Sequence, residues 1–161
     1  MRDVGLRPYG HRDLPRCLAL FDGNVPRFFD VAERDDFAEF LRTAGGRDTP
    51  YLVLEAAGST VACGGLVLDE DGRGARLAWG MVDRAHHGRG LGARLMRARL
   101  ALARADPRLV ELRLDTSRHA KDFYERFGFE VRRIEPDGFA PGLDRYEMTA
   151  GLATTSVRSR S

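Results

Sequence analysis

The chain has 161 residues, 43% of them hydrophobic and 31% charged, which suits a folded globular domain with a full-sized core and excludes a disordered or fibrous protein. A formal net charge of +2 is too small to argue for a nucleic-acid partner, and no apolar run approaches the roughly 20 residues that span a bilayer. The first residues, Met1-Arg2-Asp3-Val4-Gly5, lack the apolar stretch of a secretory signal, so a cytoplasmic protein is expected.

Residues 4–9 predict a short first strand. Asp13-Leu14-Pro15 predicts an N-cap followed by a helix that runs through Leu20 and Phe21. Phe37, Phe40 and Leu41 fall at helical spacing and predict a second helix over 33–43, ended by Gly45-Gly46. Between these helices, residues 22–29 form a loop rich in aromatics. Residues 51–56 and 60–68 flank the turn Ala57-Gly58-Ser59 as a hairpin, and 75–83 adds a third strand after a second turn. A helix over 93–105 is stopped by Pro107, with Leu91, Leu95, Ala98 and Leu102 as its buried stripe. Residues 109–115 alternate as a strand with Val110, Leu112 and Leu114 on one face. A helix over 118–127 buries Ala120, Phe123, Tyr124 and Phe127, and Gly128 is placed for its C-cap. Strands over 129–134 and 144–150 complete the order. The turn-rich segment 137–146 has the composition of a loop that can close over a substrate, and the polar, basic tail 154–161 is expected to be disordered.

The order β-α-α-β-β-β-α-β-α-β-β combines an antiparallel meander with a strand–helix–strand unit, which implies one parallel pair and a right-handed crossover. The expected fold class is therefore α+β: a mixed, mostly antiparallel twisted sheet of about seven strands flanked by four helices. It forms one domain over residues 1–153. Cys17 and Cys63 lie in apolar contexts and read as buried small hydrophobes. No Cys/His cluster has metal-ligand spacing, so no metal is expected.

The run His87-Gly88-Arg89-Gly90-Leu91-Gly92 carries the chemistry. A strand feeding a glycine-rich turn that opens a helix is an anion site. Glycines let the backbone approach a phosphate, and the first helical N–H groups point outward with the positive end of the helix dipole behind them. The N–H groups from Gly88 to Ala93 line such a cradle, and Arg89 and Arg94 can add charge for an outlying phosphate. Gly92-Ala93-Arg94 lacks the Lys-Ser or Lys-Thr of a Walker loop. A dinucleotide fingerprint belongs at the first strand of a βαβ unit, not the fourth strand of the chain. Asp115 matches its acidic partner only in part.

Two segments in order resemble signatures of the GNAT superfamily of N-acetyltransferases. Residues 77–83 followed by 87–93 resemble its acetyl-CoA motif, Arg/Gln-x-x-Gly-x-Gly/Ala, and Ala120-Lys121-Asp122-Phe123-Tyr124-Glu125-Arg126-Phe127-Gly128-Phe129 resembles its Ala-x-x-Phe-Tyr-x-x-x-Gly-Phe segment. The resemblance covers about residues 4–150. Two positions depart from it: His87 stands where Arg or Gln is usual, and Ser117 where Asn is frequent.

The resemblance implies transfer of an acetyl group from acetyl-CoA to a primary amine by direct attack. Pantetheine would pair with the strand at Met81 and Val82, and a backbone N–H of Val82 or its neighbour would polarise the thioester carbonyl. His87, Gly88, Arg89, Gly90, Leu91, Gly92, Ala93 and Arg94 would hold the diphosphate, with Ser117 as a polar contact to pantetheine. Tyr124 would protonate the leaving thiolate. The base is less defined: His119 is the candidate, with Asp22, Glu33 and Asp144 able to act through water. Asn24, Phe28 and Phe29 could wall the acceptor pocket. The expected partner is a small-molecule or peptide amine, with no nucleic acid or membrane, and a homodimer is left open. The competing reading is a non-catalytic acyl-CoA-binding module or sensor with the same fold.

Overall fold

A computed structural model of the chain describes residues 4–152. The expectation for the tail 154–161 lies outside the described residues. Strand β1 (Val4–Pro8) leads into helices α1 (Leu14–Gly23) and α2 (Arg34–Thr43). Strands β2 (Tyr51–Ala56), β3 (Ser59–Leu68) and β4 (Gly74–Val82) follow, then α3 (Leu91–Arg104) and β5 (Glu111–Thr116). Helix α4 (Lys121–Glu125) and strands β6 (Glu130–Ala140) and β7 (Leu143–Gly151) end the order. The seven strands form one sheet in the order β1-β2-β3-β4-β5-β7-β6. β4 and β5 pair in parallel, from Gly74 opposite Glu111 to Arg76 opposite Arg113. The pairs β1–β2, β2–β3, β5–β7 and β6–β7 are antiparallel. The α+β, mixed seven-stranded architecture with four α-helices is the one expected. No helix among the described residues is long and apolar enough to cross a membrane.

The chain divides into two compact units. The first comprises residues up to Val67 together with Ala78–Leu100. Its core gathers Phe21 and Leu20 of α1, Phe37 and Leu41 of α2, and Tyr51 and Val53 of β2. Each helix contributes side chains at i, i+3 or i+4 spacing, the stripe an amphipathic helix turns inward. Cys17 and Cys63 are free and fully buried in this core, as expected of small hydrophobes. A hydrogen bond with Cys63, together with burial, pushes the Cys17 thiol well above its ordinary pKa. Asp13 occupies the N-cap position of α1, with proline in the first turn, as expected. It makes no side-chain cap hydrogen bond. Its carboxylate instead accepts two bonds from the Arg7 guanidinium, at 2.8 and 2.7 Å, and one from the Gly10 N–H at 2.9 Å. A charged pair of this kind outweighs a single cap bond.

The second unit comprises Leu68–Leu77 and residues from Ala101 on. Leu112, Leu114, Phe129 and Met148 are among its most buried apolar residues. Four features differ from those expected. α4 is only five residues long, because i to i−3 bonds at Ala120 and Phe127 tighten the flanking turns. Phe123, Tyr124 and Phe127 are accordingly half-buried. β6 continues to Ala140, so residues expected in a closing loop instead extend the sheet, and Gly142 (φ +80°) makes the hairpin turn. Ion pairs of Arg133 with Glu147 and of Arg145 with Glu135 bind β6 to β7 up to the start of that extension. Val110 precedes β5 and is exposed. In α3 the buried set is Leu91, Leu95, Met96, Arg99, Leu100 and Ala103, while Ala98 and Leu102 are half-buried.

Candidate functional site

The second half of β4 departs from a regular strand. Trp79 adopts φ +45°, a left-handed conformation that costs a non-glycine residue about 1–2 kcal/mol. Two buried side chains hold the kink. The Tyr51 hydroxyl donates to the Trp79 carbonyl at 2.7 Å. Burial keeps that phenol protonated well above its usual range, so the donor persists at any working pH. Arg99 of α3, only 4% exposed, donates to the Ala78 carbonyl at 3.2 Å and to the Gly65 carbonyl at 3.1 and 3.2 Å. Gly80 makes room for it: a Cβ there would collide with the guanidinium, and one at Gly64 would lie 3.3 Å from Arg99 Cζ. The Trp79 ring packs on Phe37 and Phe29 at centroid distances of 4.9 and 6.0 Å.

The end of β4 is pinned as well. The Val82 carbonyl accepts from Asn24 Nδ2 at 3.0 Å and from His87 Nε2 at 2.8 Å. The Asp83 N–H donates to the Val61 carbonyl at 2.7 Å. The Asp83 carboxylate accepts from the Ala85 N–H at 3.0 Å and from Arg16 at 2.8 Å. Burial alone would raise the pKa of Asp83, but these two donors hold it below the ordinary value.

The glycine loop follows. Gly88 and Gly90 lie at φ +81° and +79°, and a Cβ at either would meet nothing within 4 Å. Both positions therefore require glycine for backbone conformation and leave open space beside the chain. The Arg94 N–H donates to the Gly90 carbonyl at 3.1 Å, so helical bonding in α3 begins there. The N–H groups of Leu91, Gly92 and Ala93 precede that first bond and have no acceptor within the helix. Open glycines, first-turn N–H groups and the exposed Arg89 together fit a diphosphate. Arg94 is less free than expected, since its Nη2 donates to the Val4 carbonyl at 2.8 Å.

The residues expected on the acceptor side separate. Asn24 is 2% exposed and its amide is committed to the Leu20 and Val82 carbonyls. Phe28 is half exposed and meets His87 edge to face at 5.5 Å. Phe29 is half-buried and stacks on Phe21 at 5.0 Å. In the second unit, Tyr124 is half-buried with its ring against Phe123 and Phe129. Ser117 Oγ accepts from the His119 N–H at 3.3 Å, capping the turn ahead of α4, and His119 is exposed. Tyr51 and Arg99 escaped the reading of the sequence. The glycines at 64, 65 and 80 were the only sign that a large side chain needed space there.

The profile of the acetyltransferase (GNAT) domain matches residues 47–131, more than half of the chain, and takes in both the glycine loop and the Tyr124 segment. The chain belongs to the GNAT acetyltransferase family. Solved structures of other GNAT-fold enzymes superpose over nearly its whole length. A variant spermidine N-acetyltransferase from Vibrio cholerae is 18% identical, with 99% of each chain covered and a TM-score of 0.77. The ribosomal-protein-S18-alanine N-acetyltransferase of Escherichia coli is 19% identical, covering 92% of this chain and 94% of its own, with a TM-score of 0.78. An aminoglycoside 6'-N-acetyltransferase complexed with coenzyme A is 12% identical, covering 92% and 97%, with a TM-score of 0.77. At these identities the likeness speaks to the fold. No curated protein matches the chain in sequence. As a GNAT acetyltransferase, the protein takes its acetyl group from acetyl-CoA and transfers it to an amine.

Proposed function

We infer that the acceptor is the primary amine of a small molecule or peptide, and that the cofactor lies along the end of β4 and over the glycine loop. The observation that carries this placement is the left-handed pair Gly88 and Gly90, open on their outer side, directly ahead of the first turn of α3. Gly88 to Ala93 supply the diphosphate donors, and Arg89 and Arg94 add positive charge. The backbone at Met81 and Val82 pairs with pantetheine, and Ser117 adds a polar contact. Acetyl-CoA supplies the electrophilic thioester. The Val82 N–H polarises its carbonyl as the amine nitrogen attacks, the C–N bond forms and the C–S bond breaks. Tyr124, within the segment that resembles the second family motif, gives its proton to the departing thiolate, and His119 takes the proton the ammonium must lose. Phe28 and Phe29 wall the acceptor side and Asn24 supports them.

Residues 1–153 act as one acetyltransferase domain in this reading, supported by a family match that runs continuously across both compact units. The two free buried thiols suit a reducing, cytoplasmic setting. The solved structures with the same fold carry names for spermidine, a ribosomal-protein alanine and an aminoglycoside, so a broad amine panel is the right probe. Release of CoA thiol is followed with polyamines, amino acids, aminoglycosides and peptide N-termini. Amine-dependent release supports the reading. Saturable CoA binding without turnover by any amine would identify a binding module instead.

A further inference from the structure

His87 opens the loop proposed to hold the diphosphate, yet its donor nitrogen turns back to the strand. The Val82 carbonyl can only accept, so the hydrogen of the 2.8 Å contact sits on Nε2 of His87. Asn24 Nδ2 holds the same oxygen at 3.0 Å from a position that is 2% exposed. Across the same peptide, the Asp83 N–H is held by the Val61 carbonyl at 2.7 Å. The planar Val82–Asp83 peptide is therefore bonded at both of its polar atoms. This joint separates two stretches with different tasks. Before it lies the backbone of Met81 and Val82, and after it the glycine loop. Asn24 also holds the Leu20 carbonyl at 2.8 Å, and the His87 ring meets Phe28 at 5.5 Å, so the segment after α1 is fastened to the same joint.

We propose that Asn24 and His87 are positioning residues that fix the Val82–Asp83 peptide and so aim the Met81–Val82 backbone at the acetyl-bearing end of the cofactor, with His87 not serving as a diphosphate ligand. The proposal rests on the reading that β4 and the glycine loop hold acetyl-CoA.

The two roles for His87 differ in which donor they affect. A phosphate contact matters only for a donor that has the diphosphate. A fixed joint matters for any acetyl thioester carried on pantetheine. His87→Ala is therefore compared with acetyl-CoA and with S-acetylpantetheine, using the most reactive amine of the panel. The expected result is a fall in kcat/KM of roughly 3- to 30-fold with both donors, carried mainly by kcat. His87→Gln, whose Nε2 reaches about as far as that of imidazole, restores most of the rate with both. A loss confined to acetyl-CoA and expressed in KM overturns the proposal and makes His87 a phosphate ligand. Asn24→Ala combined with His87→Ala gives non-additive losses in kcat/KM, and losses that simply multiply overturn the shared role. Thermal melting shows whether the Asn24 variant folds. If it does not, the exposed His87 carries the test alone. Calorimetry with CoA on the unaltered protein and on Gly90→Asp is read first. Absent binding, or binding that Gly90→Asp leaves intact, removes the site reading and this proposal with it, an outcome distinct from any pattern in the His87 kinetics.

Discussion

Gly90 offers a clean separation of backbone conformation from charge at the proposed diphosphate cradle. Its φ is +79°, and the space where a side chain would stand is open. Gly90→Asn and Gly90→Asp place nearly identical side chains there. Both suffer the left-handed conformation, at a cost of about 1 kcal/mol, since Asn and Asp tolerate it better than other residues. The pair differs by one negative charge. A carboxylate about 5 Å from a diphosphate charge, at an effective dielectric of about 20, is repelled by roughly 3 kcal/mol, or about 150-fold in affinity. Calorimetric titration with CoA at low salt should therefore show Asn weakening binding by a few-fold and Asp by roughly a hundredfold more. Raising the salt should narrow the gap between the two variants. Equal affinities for the Asn and Asp variants at low salt would refute the placement of the diphosphate beside Gly90.

Three further outcomes follow from named contacts. Tyr124→Phe should lower turnover by roughly 10- to 1,000-fold with little change in CoA affinity; an unchanged rate in thiol-release kinetics would remove Tyr124 from proton transfer. Tyr51→Phe deletes the buried donor to the Trp79 carbonyl and should lower unfolding free energy by about 1–3 kcal/mol in urea melts, with a fall in kcat as the β4 kink relaxes. Asp13 is held below its ordinary pKa by the Arg7 guanidinium, so it stabilises the fold fully above the unfolded-state value of about 3.9 and loses that contribution as pH falls through the lowered folded value. Asp13→Asn should thus lower Tm at neutral pH, and its difference from the unaltered protein should shrink in acid; a pH-independent difference would assign the effect to packing.

The element order was legible because each segment carries its own period. Phe37 and Leu41 mark α2, and Leu112 and Leu114 mark β5. The β6–β7 hairpin was harder to read. Gly138, Pro141 and Gly142 look alike in a loop and in a tight turn between long strands, and only cross-strand pairs such as Ile134 with Tyr146 decide between them. The glycine loop and the Tyr124 segment were visible as motifs. The conformation of Trp79 was not, because tryptophan favours strands and nothing local announces a left-handed residue. Arg99 falls on the apolar face of α3, four residues after Leu95, but arginine is ordinarily a surface residue, and its burial depends on glycines from β3 and β4 far away in the chain. The parts of the site that are held by long-range contacts were the parts the sequence hid.

The fit between Arg99 and Gly80 constrains how this protein can change. Replacing glycine by alanine is a common route to stabilising a chain, yet at Gly80 the added methyl would be driven into the guanidinium. Shortening Arg99 would empty the space and strip donors from the Ala78 and Gly65 carbonyls. Either single step disturbs the bonds of the guanidinium to the Ala78 and Gly65 carbonyls, so the two positions should drift mainly as a pair. A stabilising library built on this scaffold should hold both fixed, or vary them jointly.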